Sequence, residues 1–121
     1  MWKEAETNTH QDHVIAHVIG ATPLSYFVWD ETAYLLLDIG FVWNVYLDLE
    51  MGLVPERAAL AEMEIDEDLR RWEHVSTPSP IQSVEVFETD DARRLILNCK
   101  SGSVIVETSF TTREIRIECK E

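Results

Sequence analysis

The stretch Leu24–Met51 constrains this chain most, because no other run of the sequence carries as much apolar bulk. It contains all three tyrosines of the chain, together with Trp29, Trp43, Phe27 and Phe41. Large apolar side chains contribute about 1.5–3 kcal/mol each when fully buried, so we expect this stretch in the core. Five acidic residues interrupt it, whereas a membrane-spanning helix needs about 20 nearly uncharged residues. We therefore predict a core sheet segment.

Aromatic and β-branched residues favour strands, and Gly40 divides the stretch near its middle. Three strands are predicted here: Ser25–Trp29, Ala33–Asp38 and Phe41–Leu49. Turns are predicted at Asp30-Glu31-Thr32 and at Ile39-Gly40.

The middle strand of the three has consecutive leucines at positions 35–37, so both of its faces are apolar. Such a strand is expected to be covered on both sides, either by a helix or by a second subunit, and a helix is the favoured cover. In the third strand the apolar residues alternate with polar ones, which indicates one buried face. That face is predicted to contain Phe41, Trp43, Val45, Leu47 and Leu49.

An N-terminal helix is predicted after a frayed segment, Met1–Asn8, with Thr9 as its N-cap and Gly20 as its end. After the sheet, Glu56–Glu64 and Asp66–His74 read as a middle helix that is broken near Ile65. A short strand at Ala61–Ile65 is the open alternative.

Beyond a linker of turn-forming residues at 75–80, strong alternation predicts four strands in a meander. Their predicted bounds are Ile81–Glu88, Arg93–Cys99, Ser103–Phe110 and Arg113–Cys119. The whole chain, residues 1–121, is thus predicted to be a single α+β domain with mostly antiparallel sheet.

The charge is strongly acidic, with 23 acidic and 10 basic residues and a net charge of −13. Nucleic acids and anionic membranes bind through lysine and arginine, so neither is an expected partner. A basic protein partner is favoured electrostatically, although acidity alone also keeps small domains soluble. The polar, acidic N-terminus does not resemble a secretory signal, and the two cysteines form no CxxC motif. We therefore expect a cytoplasmic protein.

Histidines supply the only metal-ligand spacing in the sequence. His13 and His17 lie one helical turn apart, which lets two imidazoles on a helix share one metal. They are weak candidates, since a polar helix flank is the simpler interpretation, and His74 is expected at a helix end. Cys99 and Cys119 are expected as buried fillers. No catalytic residue and no cofactor is predicted, because the nucleophile and phosphate-loop motifs are missing.

The candidate interaction surface rests on one aromatic residue among polar ones. Tyr46 shares its predicted strand face with Asp48 and Glu50, and such an aromatic is a typical interface anchor. The acidic run after the sheet extends this surface with Glu62, Glu64 and Glu67. The sequence therefore predicts a non-enzymatic module that binds a basic protein, as an inhibitor or immunity protein does, or that forms a homodimer. The alternative is a small ligand-binding protein or enzyme with a pocket lined by Trp29, Tyr34 or Trp43.

Overall fold

The computed structural model describes residues 1–62 and 72–121, with residues 60–62 described by their backbone only. Within those residues the chain forms ten strands and two short helices, which confirms the predicted mostly antiparallel sheet. The elements in chain order are β1 (Lys3–Glu4), α1 (Thr9–Val18), β2 (Pro23–Trp29), β3 (Thr32–Leu37), β4 (Phe41–Tyr46), β5 (Met51–Pro55), α2 (Glu56–Glu62), β6 (Glu73–His74), β7 (Ile81–Glu88), β8 (Ala92–Cys99), β9 (Gly102–Ser109) and β10 (Ile115–Lys120).

The strands form two five-stranded sheets. The aromatic sheet has the order β5-β4-β3-β2-β6, and the C-terminal sheet has the order β1-β7-β8-β9-β10. Every neighbouring pair is antiparallel. The β2–β3 hairpin closes through Asp30 and Glu31, both at positive φ of 50° and 59°. Two successive positive φ values match the right-handed twist of the strands and make a tight two-residue hairpin.

The main core lies between the two sheets. From the aromatic sheet it takes Leu35 and Trp43, both fully buried, and from the C-terminal sheet it takes Leu95 and Val106. Helix α1 packs beside β5 and adds its own buried valines to this core. The buried side of β3 is therefore covered by a second sheet, and the favoured prediction of a covering helix on that side is wrong.

The opposite face of the aromatic sheet has its own apolar cover. Phe27 is buried there and stacks on Tyr34 with ring centroids 4.7 Å apart. It also packs nearly perpendicular to Trp72, with ring centroids 4.5 Å apart. Val42 is fully buried on the same face, where α2 lies against β4 and β5 and buries Ala59. Both faces of β3 thus carry apolar contacts, as its run of leucines predicts.

Several predicted boundaries differ from the structure. Met1–Asn8 is not frayed throughout, because β1 pairs with β7, and the Ala5 N–H donates to the Val86 carbonyl at 2.9 Å. Asn8 is the N-cap of α1 in place of Thr9, with Gln11 completing a capping box. The third predicted strand ends at Tyr46, and β5 was not predicted at all.

The middle of the chain contains the other corrections. Glu73 and His74, expected at the end of a helix, form β6 and pair with β2. The described part of α2 is Glu56–Glu62, so Ala61 and Glu62 are helical and do not start a strand. The predicted helix break near residue 65 and the rest of the alternative strand lie outside the described residues.

On β4 the predicted buried face is only partly correct. Trp43 and Val45 are fully buried, and so is Leu49 in the turn that follows. Phe41 is exposed at the start of the strand, whereas Val42, which was expected on the polar face, is fully buried. The second apolar cover explains the burial of Val42, because α2 lies against β4 on that face.

Candidate interaction surface

Two turns of the aromatic sheet lie at the same end, because strands β2 to β5 alternate in direction. One turn is Asp30-Glu31 between β2 and β3, and the other spans residues 47–50 between β4 and β5. We call this region, comprising Trp29, Asp30, Glu31, Tyr46, Asp48 and Glu50, the aromatic–acidic end.

The row of residues nearest those turns runs across three strands. Trp29 pairs with Thr32, and Thr32 pairs with Tyr46. Thr32 is buried, whereas Trp29 and Tyr46 remain 42% and 45% exposed. Neighbouring strands lie about 4.8 Å apart, so the two aromatic residues project from backbones roughly 10 Å apart, on the same face. They flank the small Thr32 side chain on an open surface.

Tyr34 extends this aromatic group toward the covered part of the sheet. Burial raises the pKa of its hydroxyl, the Thr32 side chain partly offsets the rise, and the nearby Tyr46 and Asp30 add to it. The hydroxyl is therefore neutral at physiological pH. Because both Tyr46 and Asp30 influence it, Tyr34 belongs to the same local environment as the exposed row.

Three carboxylates of this end accept hydrogen bonds, one within its own turn and two from distant parts of the chain. Asp48 accepts a hydrogen bond from the Glu50 N–H at 2.9 Å, and the Glu50 side chain accepts one from the Asn8 amide at 2.9 Å. Glu31 receives two hydrogen bonds from Arg113, at 2.7 and 2.6 Å, which hold the pKa of Glu31 below its usual range. The turns therefore present ordered negative charge.

The sequence around this end has no positive charge of its own. Between Lys3 and Arg57 the chain contains nine acidic residues and no lysine or arginine. This half of the chain therefore contributes only a negative field to the aromatic–acidic end. The positive side chain of Arg113, which is also placed there, comes from the other half and is paired with Glu31. Complementary fields of this kind accelerate association with basic partners.

The structure places the predicted surface residues as follows. Tyr46, Asp48 and Glu50 are exposed at this end, although the two acids lie in the turn and not on the strand. Glu62 is the last described residue of α2, while Glu64 and Glu67 lie outside the described residues. Trp29 was predicted in the core, with a ligand pocket as an alternative. Its exposure beside Tyr46 follows from strand register, which the sequence did not define.

The predicted metal candidates His13 and His17 have their ring centroids 4.5 Å apart. The Nδ1 atom of His17 donates a hydrogen bond to the His13 carbonyl at 2.8 Å. The Nε2 atom of His10 donates one to the Met51 carbonyl at 2.9 Å. Among the described residues no group of three or more histidine, cysteine or acidic residues is arranged to hold a metal. His74 hydrogen-bonds to the Ser25 hydroxyl at 3.1 Å in β6, so its predicted role at a helix end is wrong.

The two cysteines pack against the core from its border, and Trp43 lies inside it. Cys99 and Cys119 are free and half-buried, and burial, with Cys119 nearby, raises the pKa of Cys99. A raised pKa disfavours the nucleophilic thiolate. Burial also raises the pKa of Tyr26, which contacts Cys119 and Glu73. Trp43 is fully buried in the core and cannot line an open pocket.

Surface concavities occur on the C-terminal sheet. One of about 560 Å³ lies on its outer face, and one of about 320 Å³ lies beside it. The larger is lined by Arg94, Ile105, Glu107, Arg116, Ile117, Glu118 and Lys120. Its charged side chains are partly paired with one another, as Arg94 and Glu107 are at 2.6 Å. Neither concavity brings together aromatic side chains and a histidine, as the predicted ligand pocket would.

In the part of the chain that the structure describes, neither helix is long and apolar enough to cross a membrane. Comparisons with protein-family models, with curated proteins and with solved structures found no match.

Proposed function

We propose that this chain is a non-catalytic binding module that docks a basic protein segment on its aromatic–acidic end. The observation that carries the proposal is the row in which Trp29 and Tyr46 stand half-exposed on either side of buried Thr32, next to two acidic turns. An inhibitor or immunity-type role against a basic protein is one concrete form of this function. Cytoplasmic location stays a prediction.

The chemistry of the row suits arginine and lysine side chains. A cation over an aromatic ring is worth about 0.5–1 kcal/mol at an exposed site, and more when water is excluded. Asp30 and Asp48 lie at the rim of this row and add Coulomb attraction, which salt weakens. Tryptophan, tyrosine and charged rims are also the composition of protein interfaces in general.

The other function predicted from the sequence was a ligand pocket lined by Trp29, Tyr34 or Trp43. Trp43 lies in the core, and Tyr34 is covered by its stack with Phe27. The exposed aromatics that remain form an open row, which suits an extended side chain from a macromolecule better than an enclosed small molecule.

The test uses a fluorescent oligo-arginine peptide and its oligo-glutamate counterpart, with binding followed by anisotropy. We expect only the basic peptide to bind, and its affinity to fall between about 20 mM and about 150 mM salt. Trp29→Ala and Tyr46→Ala should each weaken binding about two- to fivefold, the loss of one exposed cation–π contact. Ile39→Ala is the matched control, because Ile39 is 46% exposed at the opposite end of the same sheet.

A second pair of variants separates local from general charge. Asp48 and Asp38 each accept a hydrogen bond from a backbone N–H, at 2.9 and 2.8 Å, and they lie at opposite ends of the aromatic sheet. Asp48→Asn should weaken peptide binding more than Asp38→Asn, although both remove one charge. Equal effects of the two, with unchanged binding by Trp29→Ala, would show that the acidic chain attracts the peptide without a defined site, and would refute the proposal.

A further inference from the structure

Strand β10 forms an edge of the C-terminal sheet that nothing in the described residues covers with another strand. Its inward side chains, Ile115, Ile117 and Cys119, are only half-buried, although they belong to the same face as the fully buried Leu97 and Val106. Half-buried apolar side chains at a sheet edge are typical of a strand that lacks a neighbour.

The other sheet edges in the described chain are poorer templates. Strands β1 and β6 have two residues each. Strand β5 ends in Pro55 and is flanked by both helices. Short edges, proline and helical cover are the usual means by which an edge is protected from pairing. Strand β10 has six residues, no proline and no glycine, so it is the exposed edge best able to pair.

One hydrogen bond sets the direction of the β10 backbone groups. The Ser109 N–H donates to the Glu114 carbonyl at 3.0 Å. In an antiparallel ladder the residues alternate between bonding one neighbour and bonding the other. Residues 114, 116, 118 and 120 therefore bond to β9. The N–H and C=O groups of Ile115, Ile117 and Cys119 point to the open edge.

The outward side chains of β10 and of Glu114 just before it alternate in sign: Glu114, Arg116, Glu118 and Lys120 are all exposed. Two symmetric registers place most of β10 opposite a second β10 with the free backbone groups matched. Centred on Ile117, the register sets Arg116 against Glu118 of the second copy. Centred on Glu118, it sets Glu118 against itself and Arg116 against Lys120. Like charges directly opposite are unfavourable, so the charges select the first register.

We infer that two copies of this chain pair through β10, antiparallel and centred on Ile117, and so join their C-terminal sheets into one continuous sheet. In this register Glu114 faces Lys120 of the second copy as well, so every charged pair on the outer face is attractive. On the inner face, Ile115 meets Cys119 and Ile117 meets its own symmetry mate. The half-buried apolar side chains are thereby covered. The inference stands apart from the basic-partner proposal, because it uses a different sheet.

The test is a charge-swap cycle on the full chain, measured by sedimentation across a concentration series. Glu118→Arg places arginine opposite Arg116 at two symmetry-related positions, so we expect the dissociation constant to rise at least about fivefold. The double variant Arg116→Glu with Glu118→Arg restores both attractive pairs in reversed order and should return to within about threefold of the original. Glu85→Arg, on the outer face of β7, is the control and should leave the dimer unchanged.

Circular dichroism melting of each variant separates lost pairing from lost folding. The double-variant rescue gives a second safeguard, because it restores the interface without restoring either side chain. A chain that sediments as a monomer up to about millimolar concentration would overturn the inference. So would a folded Glu118→Arg variant that dimerises normally, or a folded double variant that stays dissociated.

Discussion

Gln11 joins helix α1 to the β4–β5 turn, and its replacement tests how that helix is held. Its side-chain oxygen accepts a hydrogen bond from the Asn8 N–H at 2.9 Å, and its amide donates to the Leu49 carbonyl at 2.8 Å. In return, the Asn8 side chain accepts from the Gln11 N–H at 2.8 Å. Gln11 itself is 7% exposed, so water cannot readily replace these partners.

Gln11→Met keeps the length of the side chain and removes both of its hydrogen bonds. The Leu49 carbonyl then lacks a partner in a buried setting, which costs about 1–3 kcal/mol, and the loss of the Asn8 contact adds about 0.5–1.5 kcal/mol. We expect a loss of roughly 2–4 kcal/mol in the free energy of unfolding. Asn8→Ala removes the N-cap and should cost about 1 kcal/mol.

The assay is urea unfolding followed by circular dichroism. Gln82→Met is the matched control, since Gln82 is exposed on β7, and it should change stability by less than about 0.5 kcal/mol. The double variant of Asn8 and Gln11 should cost less than the sum of the two, because the residues share one capping box. If Gln11→Met is no more destabilising than Asn8→Ala, the buried link to Leu49 contributes nothing and this account of the helix is wrong.

Two further perturbations follow from single contacts. A Cβ on Gly102 would overlap the Lys120 backbone carbonyl, so Gly102→Ala should destabilise the fold by about 1–3 kcal/mol; an unchanged urea midpoint would contradict this. The paired Arg113 lowers the pKa of Glu31 from its ordinary value of 4.5. The pair therefore stabilises the fold above that pH, and its contribution is lost as the pH falls through the lowered pKa. In Arg113→Met, carboxyl NMR should show the Glu31 pKa back near 4.5, and a pKa that stays low would assign the shift to another cause.

The long strands were predictable because runs of apolar, aromatic and β-branched residues lie between turn-forming residues. This signal predicted the observed bounds of β7. It also placed each end of β3 and of β8 within one residue of the observed position. Strands β1 and β6 have two residues each, which is too short for any period to be visible. Glu73 and His74 follow a helix-prone sequence, so local propensity favoured a helix, and pairing with β2 overrode it.

The end of β4 shows a different limit. Leu49 has a φ of 66°, a left-handed conformation that a leucine rarely adopts. Sequence patterns place such turns at glycine or asparagine, so Phe41–Leu49 was predicted as one strand. The turn forms because the Leu49 N–H donates to the Tyr46 carbonyl at 2.9 Å and the Leu49 side chain is fully buried. The hydrogen bond is local, but the burial of Leu49 is a tertiary effect that the local sequence does not show.

The candidate surface was predictable in part for the same reasons. Tyr46 was predicted as a surface residue because it is an aromatic among polar neighbours. That signal lies in the local sequence, so it can be recognised without the fold. Trp29 and Trp43 each follow a phenylalanine and a valine in the sequence, yet the first is 42% exposed and the second is fully buried. The two differ because other elements cover only part of each sheet face. Which part is covered depends on the arrangement of the whole chain.

The two proposed surfaces are compatible, and the geometry of β10 determines how they would combine. The ion pair between Arg113 and Glu31 places the start of β10 at the aromatic–acidic end. Antiparallel pairing of two β10 strands reverses one copy relative to the other, so the two aromatic–acidic ends would face opposite ways. A short basic segment would then reach only one of them, whereas two separate partners could bind at once. A dimer of this kind gains avidity only toward a partner long enough to span both ends.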